Sequence, residues 1–271
     1  MKKLLLVIAA ACLAGFTFAQ DAPLWMRHSV ISPDGTTIAF TYKGDIYTVP
    51  VAGGRAMQIT TNPAYDTAPV WSPDSKRIAF ASDRMGSLDV YIVAKDGGEP
   101  RRLTTHSGSE TPLAFTDAGH VLFSAGIMPS AEAVVFPSNG QFNQVYRVSV
   151  EGGRPTMISS MPMECISINK EGAMLYQDKK GYEDYWRKHH VSPIARDIWM
   201  YTPGKEPQYR QLTTFGGEDR EPVWAPDGKT FYYLSEENGS FNIYRRTPGD
   251  AKAVQLTHYT KNPVRYLSAA T

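Results

Sequence analysis

Residues 32–40 read Ser-Pro-Asp-Gly-Thr-Thr-Ile-Ala-Phe, and residues 72–80 read Ser-Pro-Asp-Ser-Lys-Arg-Ile-Ala-Phe. The same pattern, a polar turn followed by an apolar run, returns near residues 115–123, 168–176 and 225–233. A repeat of this kind predicts a modular fold, because one copy is too small to bury its own apolar face and must stack on its neighbours.

Each copy contains four short segments in a fixed order. The first ends in the turn, the second is apolar, and the third resembles Asp45-Ile46-Tyr47. A glycine turn then precedes the fourth segments, which are residues 59–61, 103–105, 158–160, 212–214 and 256–258. Apolar residues alternate, β-branched and aromatic residues dominate, and turns recur about every eight to twelve residues, so all four segments are predicted to be strands.

Four antiparallel strands per repeat, at a period of about 40 residues or more, predict an all-β fold, a β-propeller of four-stranded blades. A β-sandwich is the alternative, although it would not repeat its turns and aromatic positions in register. Residues 20–271 are expected to form the propeller, with blades that begin near residues 28, 68, 111, 164, 221 and 262.

The last repeat breaks off soon after it begins. Residues 262–264, Asn-Pro-Val, match residues 68–70, Ala-Pro-Val. The sequence therefore predicts five blades and the first strand of a sixth. Because an open arc of blades exposes unpaired faces, we expect these 271 residues to be an N-terminal piece of a longer protein.

The first 19 residues are typical of a secretory signal peptide, with a basic Lys2-Lys3, an apolar run over residues 4–13 and small residues before Gln20. The run is shorter than the roughly 20 apolar residues of a membrane span. Cleavage after Ala19 predicts a periplasmic protein, and lipidation at Cys12 is the alternative. Loss of the two lysines leaves 26 basic and 27 acidic residues, a net charge of −1, which indicates neither a nucleic acid nor an anionic membrane as partner.

Residues with catalytic or metal-binding chemistry are sparse. Cys165 is the single cysteine after signal cleavage, so no internal disulfide is expected, and its strand-like surroundings predict a buried, inert thiol. There is no Gly-x-Ser-x-Gly motif and no phosphate-binding loop. The adjacent His189 and His190 lack neighbours at metal-ligand spacing. The sequence therefore predicts no catalytic residue, metal or cofactor in this chain.

The repeats differ in length, and the differences mark candidate binding segments. The spacing between equivalent turn positions grows from 40 residues, between Asp34 and Asp74, to 57 residues, between Lys170 and Asp227. Blades three and four therefore carry insertions, where repeat proteins often place specificity. The candidate peptide-binding residues of the blade-four insertion are Tyr182, Tyr185, Trp186, Arg187, His189 and His190. A solvated loop whose aromatic residues pack on the blade edge is the alternative. Trp71 and Trp224 are further candidates, with interblade core as their alternative.

The repeats resemble those of TolB-like six-bladed propellers, and the match is best at residues 71–80 and 223–233. Such propellers occur in TolB, in prolyl-oligopeptidase-type peptidases and in tricorn-type proteases. The propeller begins at once after the signal peptide, and the insertion over residues 180–199 is similar to that of secreted bacterial tricorn-protease homologues of the S41 peptidase class.

This resemblance implies a longer protein with a six-bladed propeller, a PDZ domain and a C-terminal domain with a serine nucleophile. The propeller would guide or filter peptides or unfolded polypeptide toward that domain, so the expected partners are peptides, the downstream domains and a second copy of the chain. One alternative is a TolB-like periplasmic protein-interaction module without enzymatic activity. Another, a glycan-active or lyase propeller, needs clustered acids or a metal site that the spacing does not show.

Overall fold

The computed structural model describes residues 25–126, 143–181 and 191–270. Within these residues the chain forms five antiparallel sheets of four strands each, and no helix. Every sheet takes its strands in the order of the chain. This confirms the predicted all-β propeller with four-stranded blades.

The outermost strand is the shortest of each blade, which leaves little unpaired backbone at the sheet edges. Blade one contains β1 (Arg27–Ile31), β2 (Thr37–Tyr42), β3 (Asp45–Pro50) and β4 (Met57–Gln58). Blade two contains β5 (Asp66–Trp71), β6 (Arg77–Ser82), β7 (Asp89–Ala94) and β8 (Arg101–Arg102). Blade three contains β9 (Glu110–Asp117), β10 (His120–Ala125), β11 (Gln144–Ser149) and β12 (Thr156–Ser159). Blade four contains β13 (Met163–Ile168), β14 (Met174–Asp178), β15 (Ile198–Thr202) and β16 (Gln208–Gln211). Blade five contains β17 (Asp219–Trp224), β18 (Phe231–Ser235), β19 (Asn242–Arg246) and β20 (Val254–Gln255).

Apolar clusters fill the space between consecutive blades. The inner strands β1, β5, β9, β13 and β17 pack against one another in chain order. Trp71 belongs to the cluster between blades one and two, and Trp224 to the one between blades four and five. Their indole N–H groups donate to the carbonyl oxygens of Val30 and Ala173, each at 3.1 Å. Both tryptophans are therefore interblade core and not exposed binding residues.

The two faces of the ring carry different connections. We call the turn face the one that bears the connections from the first to the second strand and from the third to the fourth strand of each blade. The loop face bears the connections from the second to the third strand and those between successive blades. Both predicted insertions lie in connections between second and third strands, so both attach to the loop face.

The repeated turn is held together by its aspartate. Asp34 Oδ1 accepts hydrogen bonds from the Ser32 hydroxyl at 2.6 Å and from the Thr36 N–H at 3.0 Å. These bonds hold the pKa of Asp34 below its usual value. Gly35 has φ +71°, a left-handed conformation that glycine adopts at low cost. The Asp34 N–H also donates to the Ser75 hydroxyl at 3.1 Å, which links the turns of blades one and two.

The predicted fourth strands lie at or beyond the ends of the outer strands. In blade two β8 ends at Arg102, and residues 103–105 follow it. The Leu103 N–H still donates to the Val90 carbonyl at 2.8 Å, but the Val90 N–H donates to the Thr104 hydroxyl at 2.9 Å. A side chain thus replaces the backbone acceptor where the chain leaves the sheet. The same threonine bond recurs, at 2.9 to 3.0 Å, from Ile46 to Thr60, from Ile198 to Thr213 and from Ile243 to Thr257.

Replacement of Thr104 by valine is expected to lower the free energy of unfolding by about 1–3 kcal/mol, because the buried Val90 N–H loses its acceptor. The urea midpoint measures this effect. Thr105→Val is the matched control, since Thr105 is exposed, and it should leave the midpoint almost unchanged. Equal midpoints for the two variants would show that the hydrogen bond from the Val90 N–H to the Thr104 hydroxyl does not stabilise the blade.

Residues 264–270 form no strand but lie at the sixth inner-strand position. The Val264 N–H donates to the Phe241 carbonyl at 3.0 Å, just as the Asp219 N–H donates to the Arg196 carbonyl at 3.0 Å. Tyr266 has φ +58° and is therefore the equivalent of Ala68, whose φ is +52°. The predicted alignment of Asn262 with Ala68 was wrong by four residues, because Tyr266 is the residue that corresponds to Ala68. Pro263 lies in the preceding connection and does not correspond to the proline of the strand.

The segment over residues 264–270 closes the inner ring. The Leu267 N–H donates to Glu221 Oε2 of blade five at 2.7 Å. On its other side, the Ser268 hydroxyl accepts from the Ile31 N–H of blade one at 3.1 Å. Blades four and five show the same contact, in which the hydroxyl of Ser167 accepts from the Trp224 N–H at 3.0 Å. The segment therefore meets blade one as one inner strand meets the next.

Glu221→Ala is expected to loosen this closure, because the Leu267 N–H loses a carboxylate acceptor worth about 1–3 kcal/mol. Tryptic cleavage after Arg265, followed by mass spectrometry, should accelerate about tenfold or more, since cleavage requires local opening. Glu237→Ala, at an exposed position of the same blade, is the control and should be cut at the wild-type rate. An unchanged rate in Glu221→Ala would show that Glu221 does not hold the segment.

Candidate functional site

The six predicted peptide-binding residues lie outside the described residues, as does the centre of the blade-three insertion. The structure does describe the points where both insertions leave the sheet. Ala125 and Gln144 are paired at the end of blade three, and Gln177 and Ile198 are paired at the end of blade four. The two insertions therefore attach to neighbouring blades on the same face of the ring.

The two stems of the blade-four insertion are tied together at its base. Lys180 Nζ donates to the Ala195 carbonyl at 2.7 Å and to Asp197 Oδ2 at 2.5 Å. In return, Asp178 Oδ1 accepts from the Asp197 N–H at 2.8 Å. These bonds cross from the outgoing to the returning stem, so the loop emerges from a closed base.

A network of charged side chains lies next to this base and connects it to blade five. The Arg196 side chain contacts Glu164 at 3.2 Å and Glu218 at 3.4 Å, and Arg220 contacts Glu218 at 2.5 Å. Glu218 is fully buried, and its N–H donates to Glu236 Oε1 at 2.9 Å. Because Arg196 and Glu164 belong to blade four and the other residues to blade five, the network joins the two blades beneath the insertion.

The electrostatics of the network favour the ionised form of Glu164. Burial acts to raise the pKa of Glu164, but the charge of Arg196 and a hydrogen bond from Gln177 lower it below its usual value overall. The arginines are thus used within the protein, and they position the insertion instead of presenting charge to a ligand. Sequence reasoning missed this network, because its charged members are distributed over two strands and three connections and share no motif.

The returning stem lies against the connection between blades four and five. The Ser192 N–H donates to the Gly216 carbonyl at 3.1 Å. A Cβ atom at Gly216 would lie 3.0 Å from Cγ1 of Val191, so the stem passes close to the backbone at that point. Val191 itself is 77% exposed and brings an apolar side chain to the loop face.

Exposed apolar and charged residues divide between the two faces. On the loop face, the exposed large apolar side chains are Trp25, Met26, Tyr65, Met85, Met161, Val191 and Tyr259, whereas among the described residues of the turn face only Val51 is of this kind. The exposed charged residues of the loop-face connections are Lys43, Asp83, Lys180, Glu237 and Lys261. Those of the turn face are Asp34, Arg55, Asp74, Lys76, Lys95, Asp96, Glu99, Asp117, Glu151, Arg154, Lys170, Glu171, Lys205, Glu206, Asp227, Lys229, Asp250 and Lys252. Among the residues that the structure describes, the loop face is therefore the less charged and more apolar of the two.

The predicted burial of Cys165 was wrong for the residue as a whole, which is exposed to solvent. The protein atoms around the thiol nevertheless raise its pKa, which agrees with the predicted inert thiol. Its φ of +52° places it at the bulge of the inner strand, where the strict alternation of buried and exposed side chains is interrupted.

A groove of about 700 Å³ near Tyr47, Arg55 and Lys95 opens toward the turn face, away from the insertions.

The described residues contain no group of three or more histidine, cysteine, aspartate or glutamate side chains able to hold a metal ion. No helix with the length and apolar character of a membrane span occurs in the described part of the chain.

Arg196→Met is expected to destabilise the protein by about 1–3 kcal/mol, because Glu164 and the buried Glu218 lose the cation that they share, although Glu218 keeps Arg220. Thermal unfolding measures the loss. Arg210→Met, at an exposed position of the outer strand of the same blade, is the matched control and should change little. If both variants unfold at the same temperature, Arg196 does not hold the two blades together.

Comparisons with known proteins agree with the architecture. A crystal structure of the tricorn protease superimposes with a TM-score of 0.74 and 18% sequence identity, over 92% of this chain and 24% of that chain. The structure of putative TolB from Agrobacterium tumefaciens gives a TM-score of 0.67 and 16% identity, over 86% of this chain and 81% of that chain. At these identities the likeness shows the fold alone.

Sequence comparison gives the family. Tricorn protease homolog 1 of Streptomyces coelicolor is 25% identical over 224 residues, which are 82% of this chain and 20% of that protein. The chain spans between 20% and 31% of the length of the curated relatives that it matches. The family model described as the tricorn protease N-terminal beta propeller domain matches residues 23–271. The chain therefore belongs to the family of tricorn protease N-terminal β-propeller domains.

Proposed function

We propose that this chain is the non-catalytic propeller of a tricorn-like serine peptidase and that its loop face guides or filters peptides and unfolded polypeptide toward the peptidase domain. The observation that carries the proposal is the asymmetry of the two faces. The family match supports the link to a peptidase. The apolar loop face, which also bears both insertions, supports the choice of ligand and of surface.

The chemistry of the loop face suits ligands of many sequences. Met26, Met85 and Met161 are all exposed there, and methionine side chains are flexible and polarizable, so they adapt to differently shaped apolar partners. Among the described residues of this face, few exposed charges would favour one particular partner. A surface of this kind selects for exposed apolar segments, which unfolded chains present and folded proteins bury.

The blade-four insertion is proposed to supply the main contacts. Its aromatic residues Tyr182, Tyr185 and Trp186 would pack on apolar side chains, and Arg187, His189 and His190 would donate to peptide carbonyl groups. The closed base at Lys180 and the stem at Val191 support this proposal, because they fix where the insertion leaves the propeller. A rigid attachment lowers the entropy lost when a ligand binds.

Export to the periplasm belongs to the same proposal. It is supported by the basic and apolar pattern of residues 1–19, which is typical of a signal peptide. A second candidate function is a TolB-like interaction module without an attached enzyme. The likeness to a TolB structure over 81% of that chain supports this candidate.

A binding assay with a labelled, permanently unfolded polypeptide tests the proposal. The variant with Tyr182, Tyr185 and Trp186 all replaced by alanine should bind about tenfold or more weakly, because buried aromatic residues dominate such interfaces. A control with Met157 and Tyr209 replaced by alanine removes two apolar side chains that are 42% and 44% exposed on the outer strands and should bind normally. Equal binding by both variants would remove the insertion from the proposed surface.

The same preparation distinguishes the two candidate functions. The propeller should bind the unfolded polypeptide without cleaving it, and cleavage sensitive to serine-directed inhibitors would contradict a non-catalytic role. Tight binding to a folded periplasmic protein, with no affinity for unfolded chains, would favour the TolB-like module.

A further inference from the structure

Acidic residues meet at equivalent points of three blade junctions. At each junction the first residue of an inner strand approaches the residue that opens the third strand of the preceding blade. The backbone fixes this approach, because the N–H groups of Asp66, Glu110 and Asp219 donate to carbonyl groups just before those third strands, at 2.7, 2.7 and 3.0 Å. The resulting carboxyl pairs are Asp45 with Asp66, Asp89 with Glu110, and Asp197 with Asp219.

The junction of blades two and three holds two carboxyl groups and one cation. Asp89 and Glu110 are both completely buried. Arg102 from β8 contacts both oxygens of Asp89, at 2.9 and 3.0 Å. Glu110 faces Asp89, Arg102 and the Thr104 hydroxyl, and its cross-strand neighbour on β10 is the uncharged Ala125. Because the cation is already engaged by Asp89, a second negative charge on Glu110 would be uncompensated in a medium of low dielectric constant.

The junction of blades four and five repeats this arrangement. Asp219 and Asp197 are 2% and 5% exposed. Lys180 and Gln211 both donate to Asp197, at 2.5 and 3.0 Å. The groups that act on Asp219 are the hydroxyls of Thr213 and Ser235 and the negative charges of Asp197 and Glu237, and Asp219 in turn acts on Tyr233.

The remaining junctions lack this arrangement, and their residues at the equivalent positions can be compared with the two carboxyl pairs. Between blades three and four the equivalent residues are Gln144 and Met163, and between blade five and the closing segment they are Asn242 and Val264. Between blades one and two, Arg84 contacts both oxygens of Asp66, at 3.1 and 3.0 Å, and Asp45 is only half-buried. The fold therefore does not require an acid at either position.

We propose that the carboxyl pairs Asp89–Glu110 and Asp197–Asp219 are proton-dependent clasps, each of which holds its two blades most firmly while the pair carries one proton. In the protonated state the Glu110 hydroxyl donates to Asp89, so the pair bears one negative charge that Arg102 balances. Loss of the proton places two like charges side by side across the junction. The junctions of blades two with three and four with five thereby loosen as the pH rises.

The pH range follows from the titration of these groups. Burial, more than the neighbouring Asp89, raises the pKa of Glu110 to about 7, and burial followed by the charge of Asp197 raises that of Asp219 to about 7. In the unfolded chain these acids titrate near pH 4, at about 3.9 for aspartate and 4.3 for glutamate. The folded state thus binds more protons between these limits, and stability falls as the pH rises from about 4 to 7 and then levels off.

The carboxyl pair between blades four and five includes Asp197, which also belongs to the base of the insertion. Asp197 ends the returning stem and binds Lys180 of the outgoing stem at 2.5 Å. A second negative charge on Asp219 competes with Asp197 for that cation. Deprotonation would therefore loosen the base of the insertion as well as the junction, and this consequence does not depend on the proposed function.

Thermal unfolding of the full chain at about pH 5 and about pH 8 tests the proposal. Wild-type protein should unfold at a higher temperature at the acidic pH. Glu110→Gln and Asp219→Asn keep the shape of the protonated acid and cannot ionise, so each should remove about half of the difference between the two pH values. The double variant should remove more of the difference than either single variant and be the more stable protein at the higher pH.

Glu99→Gln is the matched control, because Glu99 is an exposed carboxylate near a turn, and it should keep the wild-type pH dependence. A double variant with the same pH dependence as the wild type would overturn the proposal. Should a variant fail to fold, infrared spectroscopy of the wild type at the two pH values gives an independent measurement. A protonated-carboxyl band that is present at about pH 5 and lost by about pH 8 supports the clasp, and its absence at about pH 5 overturns it.

Discussion

The burial of apolar side chains between blades is the interaction on which the rest of the structure depends. A single four-stranded sheet exposes both of its faces, and each Å² of apolar surface removed from water contributes roughly 25 cal/mol. Each of the four junctions between blades one and five therefore holds a cluster drawn from both neighbours, such as the one around Trp71 and Phe80. Because this requirement fixes the packing of the inner and middle strands, the large differences in length fall in the connections, and both insertions occur there.

Much of the fold followed from local pattern. Alternating apolar residues and the Ser-Pro-Asp-Gly turns predicted the strands, since the period of two and the turn geometry are properties of neighbouring residues. Three details escaped prediction because they depend on contacts between distant residues. Thr104 ends the outer strand by replacing a backbone acceptor, Cys165 is exposed by a bulge, and Pro263 imitates a strand residue although it lies in a connection.

The candidate site was likewise predicted only in part from the sequence. The sequence indicated the blade-four insertion, because an extra length in one repeat is visible by comparison with the others. It did not indicate the support beneath it. Glu164, Arg196 and Glu218 come together only when two blades pack, and each alone is an ordinary charged residue in a strand or loop. The same holds for the clasp of Asp197 with Asp219, whose members become equivalent to other pairs only once the register is known.

The inner strands repeat a left-handed residue at His28, Ala68, Cys165, Glu221 and Tyr266, with φ between 50° and 58°. This conformation costs an L-residue about 1–2 kcal/mol, and glycine would relieve the cost. The chain nevertheless carries five chemically different side chains there: an imidazole, a methyl group, a thiol, a carboxylate and a phenol. These side chains lie outside the regular alternation of the strands, and none of them belongs to a described hydrophobic cluster. Five strained positions thus bring different chemical groups to the inner strands of blades one, two, four and five and to the closing segment, inside an otherwise uniform ring.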